Sequence, residues 1–233
     1  MMNILFEDKH LLFLAKEPGQ PVQPDPSGDQ SLLDDAEDHI RQKGGKNKLH
    51  LVNRLDRPVG GVVLLTKSRE ATAHVSKQAQ SRQVFKDYLV VVHGQPEKDV
   101  ARLTDHLLKV GKKSISKVVD PGTRGAKEAA LTYKVLETIT DPEWGHLSLV
   151  NVRLITGRHH QIRVQLSHAG MPIWGDTKYN PAYQKKKGWW AIALWSHKMR
   201  LRHPFGKKEA SAVSYPDWTQ APWSGFQSLQ EDQ

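Results

Sequence analysis

A charged turn set between two apolar segments constrains this chain more than any other feature. Leu51-Val52 leads into Asn53-Arg54-Leu55-Asp56-Arg57-Pro58, and Val59-Gly60-Gly61-Val62-Val63-Leu64-Leu65 follows. Proline and glycine punctuate the middle, and the apolar run after them suits a buried strand, so the segment reads as short strand, turn, buried strand. The turn places one carboxylate, Asp56, between two arginines. A neighbouring guanidinium favours the ionised form of an acid. A carboxylate held ionised at a turn, facing a cleft, can act as nucleophile or base without a cofactor. A surface turn with a local ion pair produces the same pattern, so this segment alone leaves both readings open.

The chain has 233 residues, enough for one large domain or two small ones with a real core. No apolar run approaches the roughly 18 residues that span a membrane. The first residues, Met1 to Asp8, carry neither a basic region nor a long apolar one, so they do not read as a signal peptide. Cysteine is absent, which excludes disulfides, thiolate catalysis and zinc–cysteine sites. A cytoplasmic protein is expected, with no membrane partner. The net charge of +9 favours a polyanionic partner, nucleic acid first among them. Basic clusters at Arg41–Lys48, Lys109–Lys113 and Lys185–Lys187 lie near glycines and read as loops able to touch phosphates.

Local patterns predict strands at Ile4–Phe6 and Leu11–Ala15, then a Pro/Gly/Asp-rich loop over Lys16–Gln30. Ser31-Leu32-Leu33-Asp34 resembles a capping box and opens a helix to about Lys43. Strands are expected at Leu49–Val52, Val62–Thr66 and Val84–His93, with a helix over Arg69–Ser81 capped by Ser68. Leu103–Leu108 and Ser114–Val119 are weaker strand signals; Ala129–Thr138 and Leu147–Ile155 are stronger. A phase shift between Leu149 and Val152 predicts a bulge in the last of these. Gly157–Ala169 reads as a helix with Ile162, Leu166 and Ala169 as its apolar stripe, and Ala191–Leu194 and Met199–Leu201 read as late strands. Strands outnumber helices without regular alternation. That predicts an α+β fold with a mixed, largely antiparallel sheet and flanking helices, organised as a single domain over residues 1–233, with the 214–233 tail packed back on it or partly disordered.

A second dense site is Thr156-Gly157-Arg158-His159-His160-Gln161-Ile162-Arg163. Read as the first turns of a helix, it offers free N–H groups and a positive dipole to an anion. Arg163 lies between Ile162 and Val164, and a partly buried arginine needs an acidic or phosphate partner. Asp56 is one candidate; another internal acid would serve as well. His159, His160 and His168 lack the His-Glu-x-x-His spacing of a zinc helix, so no metal is expected. Trp174, in the turn Pro172-Ile173-Trp174-Gly175-Asp176, can either stack a base or pack into the core.

Taken together, these blocks resemble the RluA-type family of RNA pseudouridine synthases. Asn53–Gly61 is similar to the family's His-Arg-Leu-Asp-x-x-Thr-Ser-Gly motif. Lys86-Asp87-Tyr88 through Gly94 resembles its Lys-x-Tyr strand, and Gly157–Asp176 its Gly-Arg-x-His-Gln-Ile-Arg…Pro-Ile-x-Gly-Asp block. The likeness runs from Ile4 to about Pro204 with the blocks in family order. Four departures stand out: Asn53 in place of His, Val59-Gly60 in place of Thr-Ser, Ala15-Lys16-Glu17-Pro18 where Asn-Lys-Pro is usual, and Trp195 where His is common after Leu194.

The resemblance implies the pseudouridine synthase fold with a central RNA-binding cleft, a catalytic pattern beginning almost at Met1 with no N-terminal RNA-binding module, and a monomer. It implies an isomerase that turns uridine in ribosomal or transfer RNA into pseudouridine, with no cofactor. The catalytic residues it implies are Asp56 as nucleophile or C2′ base, Tyr88 stacking on the extruded base and moving protons, and Arg163 holding Asp56 ionised. Arg54, Arg57, Leu64, Lys86, Arg158, His160, Gln161 and Ile162 are the substrate-binding positions, with Leu64 and Ile162 walling out water. The Ala101–Gly125 and Pro181–Gly188 loops would select the RNA. Two other classes remain: a non-catalytic RNA-binding or RNA-folding protein on the same fold, and a basic hydrolase using Asp56 with a histidine.

Overall fold

The computed structural model describes residues 2–45, 48–111, 115–186 and 191–228. The chain forms two compact units, residues 1–86 with 195–216 and residues 87–194 with 217–233.

The first unit holds β1 (Asn3–Glu7), β2 (Leu11–Lys16), α1 (Leu32–Gln42), β3 (His50–Leu51), β4 (Gly60–Thr66) and α2 (Arg69–Gln80). It also takes most of a strand from Leu194 to Arg202 and all of one from Glu209 to Val213, numbered β10 and β11 below. β4 is its centre. One edge of β4 pairs antiparallel with β2 from Leu11↔Thr66 to Lys16↔Gly61. The other edge pairs antiparallel with β3 at Leu65 and Thr66, and parallel with β10 at Gly60 and Gly61. β1 extends the sheet beyond β2, and β11 beyond β10. Every residue of β2 and β4 is buried, which is why both read as unbroken apolar runs rather than alternating ones. Leu11, Phe13, Val62, Leu64, Met199 and Leu201 form one face of this core, closed by Val75 of α2.

Both helices begin where capping chemistry places them. Ser31 Oγ accepts the Asp34 N–H at 3.2 Å while Asp34 accepts the Ser31 N–H at 3.0 Å, a reciprocal capping box with Asp in the acidic position. Ser68 accepts the Ala71 N–H at 3.2 Å.

The second unit is an antiparallel sheet in the order β5 (Phe85–His93), β9 (Gly145–Leu154), β8 (Lys127–Asp141), β6 (Val100–Val110), β7 (Ile115–Val119). Its helix, α3 (Gln161–His168), packs through Val164 on Leu107 and Ala129. After α3 the chain crosses to β10 (Leu194–Arg202) and β11 (Glu209–Val213). A short 3₁₀ turn, Trp223–Gly225, buries Trp223 and Phe226, and Ser228 donates from N and Oγ to Glu137 at 2.8 Å. This part of the tail therefore packs on β8; residues 229–233 lie outside the described residues.

Several expectations are corrected. The bulge sits on β8, between Val135 and Glu137, while β9 runs in unbroken register against β5. The β9 phase shift reflects burial on both faces from Leu147 to Val150 instead. α3 starts at Gln161 rather than Gly157, because His160 adopts a left-handed φ of 53° that a helix cannot include. Ala169 is its exposed C-cap, not part of a buried stripe. Residues 191–193 are not strand; β10 begins at Leu194 and runs through the second predicted strand. Ala101–Gly125 is mostly the β6–β7 ribbon instead of a loop. Parts of the predicted basic clusters, at 46–47, 112–113 and 187, lie outside the described residues, as do Ser114 and Gly188.

Candidate active site

Asp56 lies in the turn between β3 and β4, closed by the Val59 N–H donating to the Asp56 carbonyl at 2.9 Å. The turn is anchored on both sides. On its entry side, Asn53 is buried against the β4 edge in the gap between β3 and β10. Its Nδ2 donates to the Val62 carbonyl at 3.2 Å, and its Oδ1 accepts the Leu64 N–H at 2.9 Å. A carboxamide carries one donor and one acceptor at about peptide spacing, so Asn53 stands in for the missing strand. Ser196 Oγ adds a second donor to Val62 at 3.1 Å.

On its exit side the turn is tied to the loop after β2. The Arg57 carbonyl accepts from the Gly19 N–H at 2.8 Å and from Lys16 Nζ at 3.1 Å. The Arg57 guanidinium donates to the Gly19 carbonyl at 2.9 Å and to Ser27 Oγ at 3.0 Å, and pairs with Asp29 and Asp25. Its charge is therefore engaged by the loop. Arg54 is exposed and Asp56 half-buried, so both can meet a ligand; Leu64 is fully buried in the core and has no surface to offer one.

The two glycines after the turn are forced by β10. Trp195 pairs directly with Gly60, and a Cβ on Gly60 would fall inside the indole. Gly61 has φ +109°, with the Ser196 backbone where a Cβ would stand. Two departures from the family pattern, Gly60 and Trp195, are thus one packing arrangement.

In the second unit, Arg163 is buried and bidentate to Asp176, Nε to Oδ2 at 2.8 Å and the terminal nitrogen to Oδ1 at 2.7 Å. The acid that a buried arginine requires thus includes Asp176, which also accepts the Lys178 N–H at 2.9 Å. The Arg163 guanidinium lies 5.3 Å from the centre of the Tyr179 ring. The Tyr179 hydroxyl accepts the Ser116 N–H at 2.7 Å and bonds His160 Nδ1 at 2.8 Å. His160 stacks on His159 with ring centres 3.8 Å apart.

Gln161 serves the scaffold: its Nε2 donates to the Ala130 carbonyl at 3.0 Å, while its Oε1 accepts from Thr156 Oγ1 and the Arg158 N–H. Arg158 is exposed and donates to the Glu128 carbonyl at 2.9 Å. Ile162 is buried, and so is Tyr88, opposite Val152 on β5. Lys86 is partly buried, and desolvation pushes its ammonium pKa down. Trp174 joins an aromatic cluster, 6.0 Å from Trp144 and 5.6 Å from Tyr183, so packing is its main role.

Sequence reasoning missed Lys16, Asp176 and Tyr179 as parts of these networks. Asp176 closes the quoted Gly-Asp block, so its place in the motif was a signal; Lys16 carried none beyond its motif position. Among the described residues no group of three or more His, Asp or Glu side chains can hold a metal ion, and no helix is long and apolar enough to cross a membrane.

The family model for RNA pseudouridylate synthase matches residues 10–168, more than half of the chain. The chain belongs to the RNA pseudouridylate synthase family. It is 33% identical over 187 residues to the uncharacterized RNA pseudouridine synthase YjbO of Bacillus subtilis (strain 168), covering 79% of this chain and 62% of that protein. It is 34% identical over 206 residues to the ribosomal large subunit pseudouridine synthase C of Yersinia pestis, covering 86% and 61%. The chain thus spans less than two thirds of the length of these curated relatives. Among solved structures, human RNA pseudouridylate synthase domain containing 4 matches with a TM-score of 0.75 and 23% identity over 98% of this chain and 92% of that one. That likeness establishes the α+β pseudouridine synthase fold.

Proposed function

We propose that this protein isomerises uridine to pseudouridine in RNA, with Asp56 as the reacting carboxylate. The observation that carries the reading is the way the chain presents Asp56. It sits half-buried on a turn pinned by Asn53 to β4 and by Lys16 and Arg57 to the loop after β2. A pinned turn costs little reorganisation at the moment of reaction. The reaction breaks the N1–C1′ bond, turns the base and joins C5 to C1′. The proton lost from C5 is balanced by one gained at N1, so no oxidant, reductant or nucleotide is consumed. Asp56 either attacks C1′ or removes the C2′ proton.

Tyr88 and Arg163 hold the family's other two catalytic positions. The tyrosine stacks on a base drawn out of its helix, and the arginine supplies the fixed cation. Arg54, Arg158 and Lys86 are the cations proposed for the RNA backbone, which explains the use of the +9 net charge. Ribosomal RNA is the first substrate to test, because the synthase C relatives are named for the large ribosomal subunit. Asp56→Asn should retain RNA affinity and lose conversion, read by pseudouridine mapping on ribosomal and transfer RNA. Wild-type protein that binds these RNAs and modifies none would leave a binding protein on the same fold.

A further inference from the structure

Among the described residues Phe205 is the only Phe, Tyr or Trp that stands exposed, at 44%. A single exposed apolar side chain carries no message by itself; what marks Phe205 is how firmly it is held. It lies in the turn between β10 and β11, which the His203 N–H closes by donating to the Lys208 carbonyl at 2.9 Å. The Phe205 N–H donates to His203 Nδ1 at 3.2 Å. That nitrogen therefore has no proton, and Nε2 carries it, donating to Asp8 Oδ2 at 2.9 Å. Asp8 Oδ1 accepts the His10 and Leu11 N–H groups, each at 2.7 Å. Gln78 of α2 bonds both backbone groups of Arg202, at 2.8 and 3.0 Å. The ring rests on His10, with centres 4.2 Å apart, and His74 of α2 meets it edge-on at 5.3 Å. The β1–β2 turn, the β10–β11 turn and α2 together fix one exposed aromatic ring.

The surroundings are basic. Lys9, Lys207 and Lys208 stand exposed in the two turns, and the one acid there, Asp8, is bonded to His203. On α2, Lys77 and Glu70 flank His74 one turn to either side and cancel. The Lys67 N–H donates to the His10 carbonyl at 2.9 Å, which puts this patch at the end of β4 away from the Asp56 turn. The seven residues of β4 separate the two ends, by about 20 Å at the rise of an extended strand. Phe205 therefore cannot touch a uridine held at Asp56.

We propose that the Phe205 turn is a second RNA-contact surface: its ring stacks on an unpaired base of the substrate RNA, and Lys9, Lys207 and Lys208 meet the flanking phosphates. The proposal rests on the reading of RNA as the substrate. An unpaired base offers a π-face to an aromatic ring, whereas a base inside a duplex has both faces covered by its neighbours. The ring is already fixed, so binding costs little ordering. Lysine is depleted at protein–protein interfaces, and the charge of this patch favours a polyanion over a protein.

The test uses a uridine-containing single-stranded RNA long enough to reach from Asp56 to Phe205, and the duplex made from it. Affinity, its salt dependence, conversion of ribosomal RNA and melting temperature are measured for wild type, Phe205→Ala, Phe205→Trp and the double variant Lys207→Gln/Lys208→Gln. Phe205→Ala should bind the single strand at least about fivefold more weakly and the duplex within about twofold of wild type. Phe205→Trp should bind the single strand within about twofold of wild type or tighter, because an indole also stacks. The double lysine variant should make the slope of log affinity against log salt shallower by about 0.7 per lysine. On ribosomal RNA, Phe205→Ala should raise KM at least about fivefold and keep kcat within about twofold, the signature of lost uniform binding. Unchanged single-strand affinity in Phe205→Ala, equal losses for single strand and duplex, or an unchanged salt slope in the lysine variant overturns the proposal. A lower melting temperature with unchanged affinity would make Phe205 purely structural. If wild type converts no uridine, the proposed activity fails while the affinities still decide this surface. If wild type converts and every variant binds as it does, only this surface fails, and a protein partner becomes its occupant. The tryptophan and lysine variants decide even if Phe205→Ala does not fold.

Discussion

The indole of Trp195 occupies the space that a side chain on Gly60 would need. The two residues face each other across the parallel β4–β10 pair, at the point where the Asp56 turn enters the sheet. The indole fits at this point because position 60 carries no side chain.

This coupling is testable. Gly60→Ser alone should cost about 1–3 kcal/mol by overpacking. Trp195→His alone should also destabilise, by leaving a void and losing the Nε1 bond to Ser214 Oγ at 3.3 Å. The double variant should be more stable than the sum of the two losses by about 1 kcal/mol or more. Denaturant unfolding of the four proteins measures it, and strict additivity would refute the pairing.

Asn53 should matter for the same region. Asn53→Ala leaves the buried Leu64 N–H without a partner, whereas Val62 keeps Ser196. The expected loss is about 2 kcal/mol, or roughly 4–8 °C in melting temperature for a chain of this size. Asn53→Asp should not restore it: its carboxylate can accept the Leu64 N–H, but it sets a buried negative charge against the Val62 carbonyl oxygen. A melting temperature unchanged by Asn53→Ala would show that the β4 edge does not depend on this residue.

Much of this was legible in the sequence. Segments with a single strong local signal were correctly placed: the Ser31 and Ser68 caps, the apolar runs of β2 and β4, and the β-branched β5. The misplacements share a cause, which is that neighbours distant in sequence decided them. α3 begins late because His160 turns left-handed and bonds Tyr179. β11, Glu209–Val213, was not predicted at all; it is short and held by its register with β10. Asp56 was visible as an acid in a motif. The clasp by Lys16 was not, because a lone lysine at the end of a strand has no pattern that reveals three carbonyls converging on it.

Acid sensitivity should come from Glu7 on β1. Burial alone would raise its pKa, but bonds from Lys43 at 2.8 Å, Lys67 at 2.7 Å and His39 at 3.0 Å bring it from 4.5 down to about 2. The folded value lies below the unfolded one, so this contribution is complete above about pH 4.5 and is lost as pH falls towards 2. After allowance for solvent screening it is worth about 1–2 kcal/mol. Glu7→Gln should be less stable by that amount at pH 7 and should show a shallower loss of stability between pH 4.5 and 2. Parallel pH–stability curves for the two proteins would contradict this assignment.

The most direct test of the account is pseudouridine formation by Asp56→Asn on ribosomal and transfer RNA, measured beside its RNA affinity. The substitution keeps the size and planar shape of the side chain, removes its charge and nucleophilicity, and exchanges one acceptor oxygen for an NH2 donor. Conversion should fall below detection while RNA affinity stays within about threefold of wild type and weakens with salt as a phosphate-binding surface requires. Pseudouridine produced by Asp56→Asn at a rate near that of wild type would contradict it.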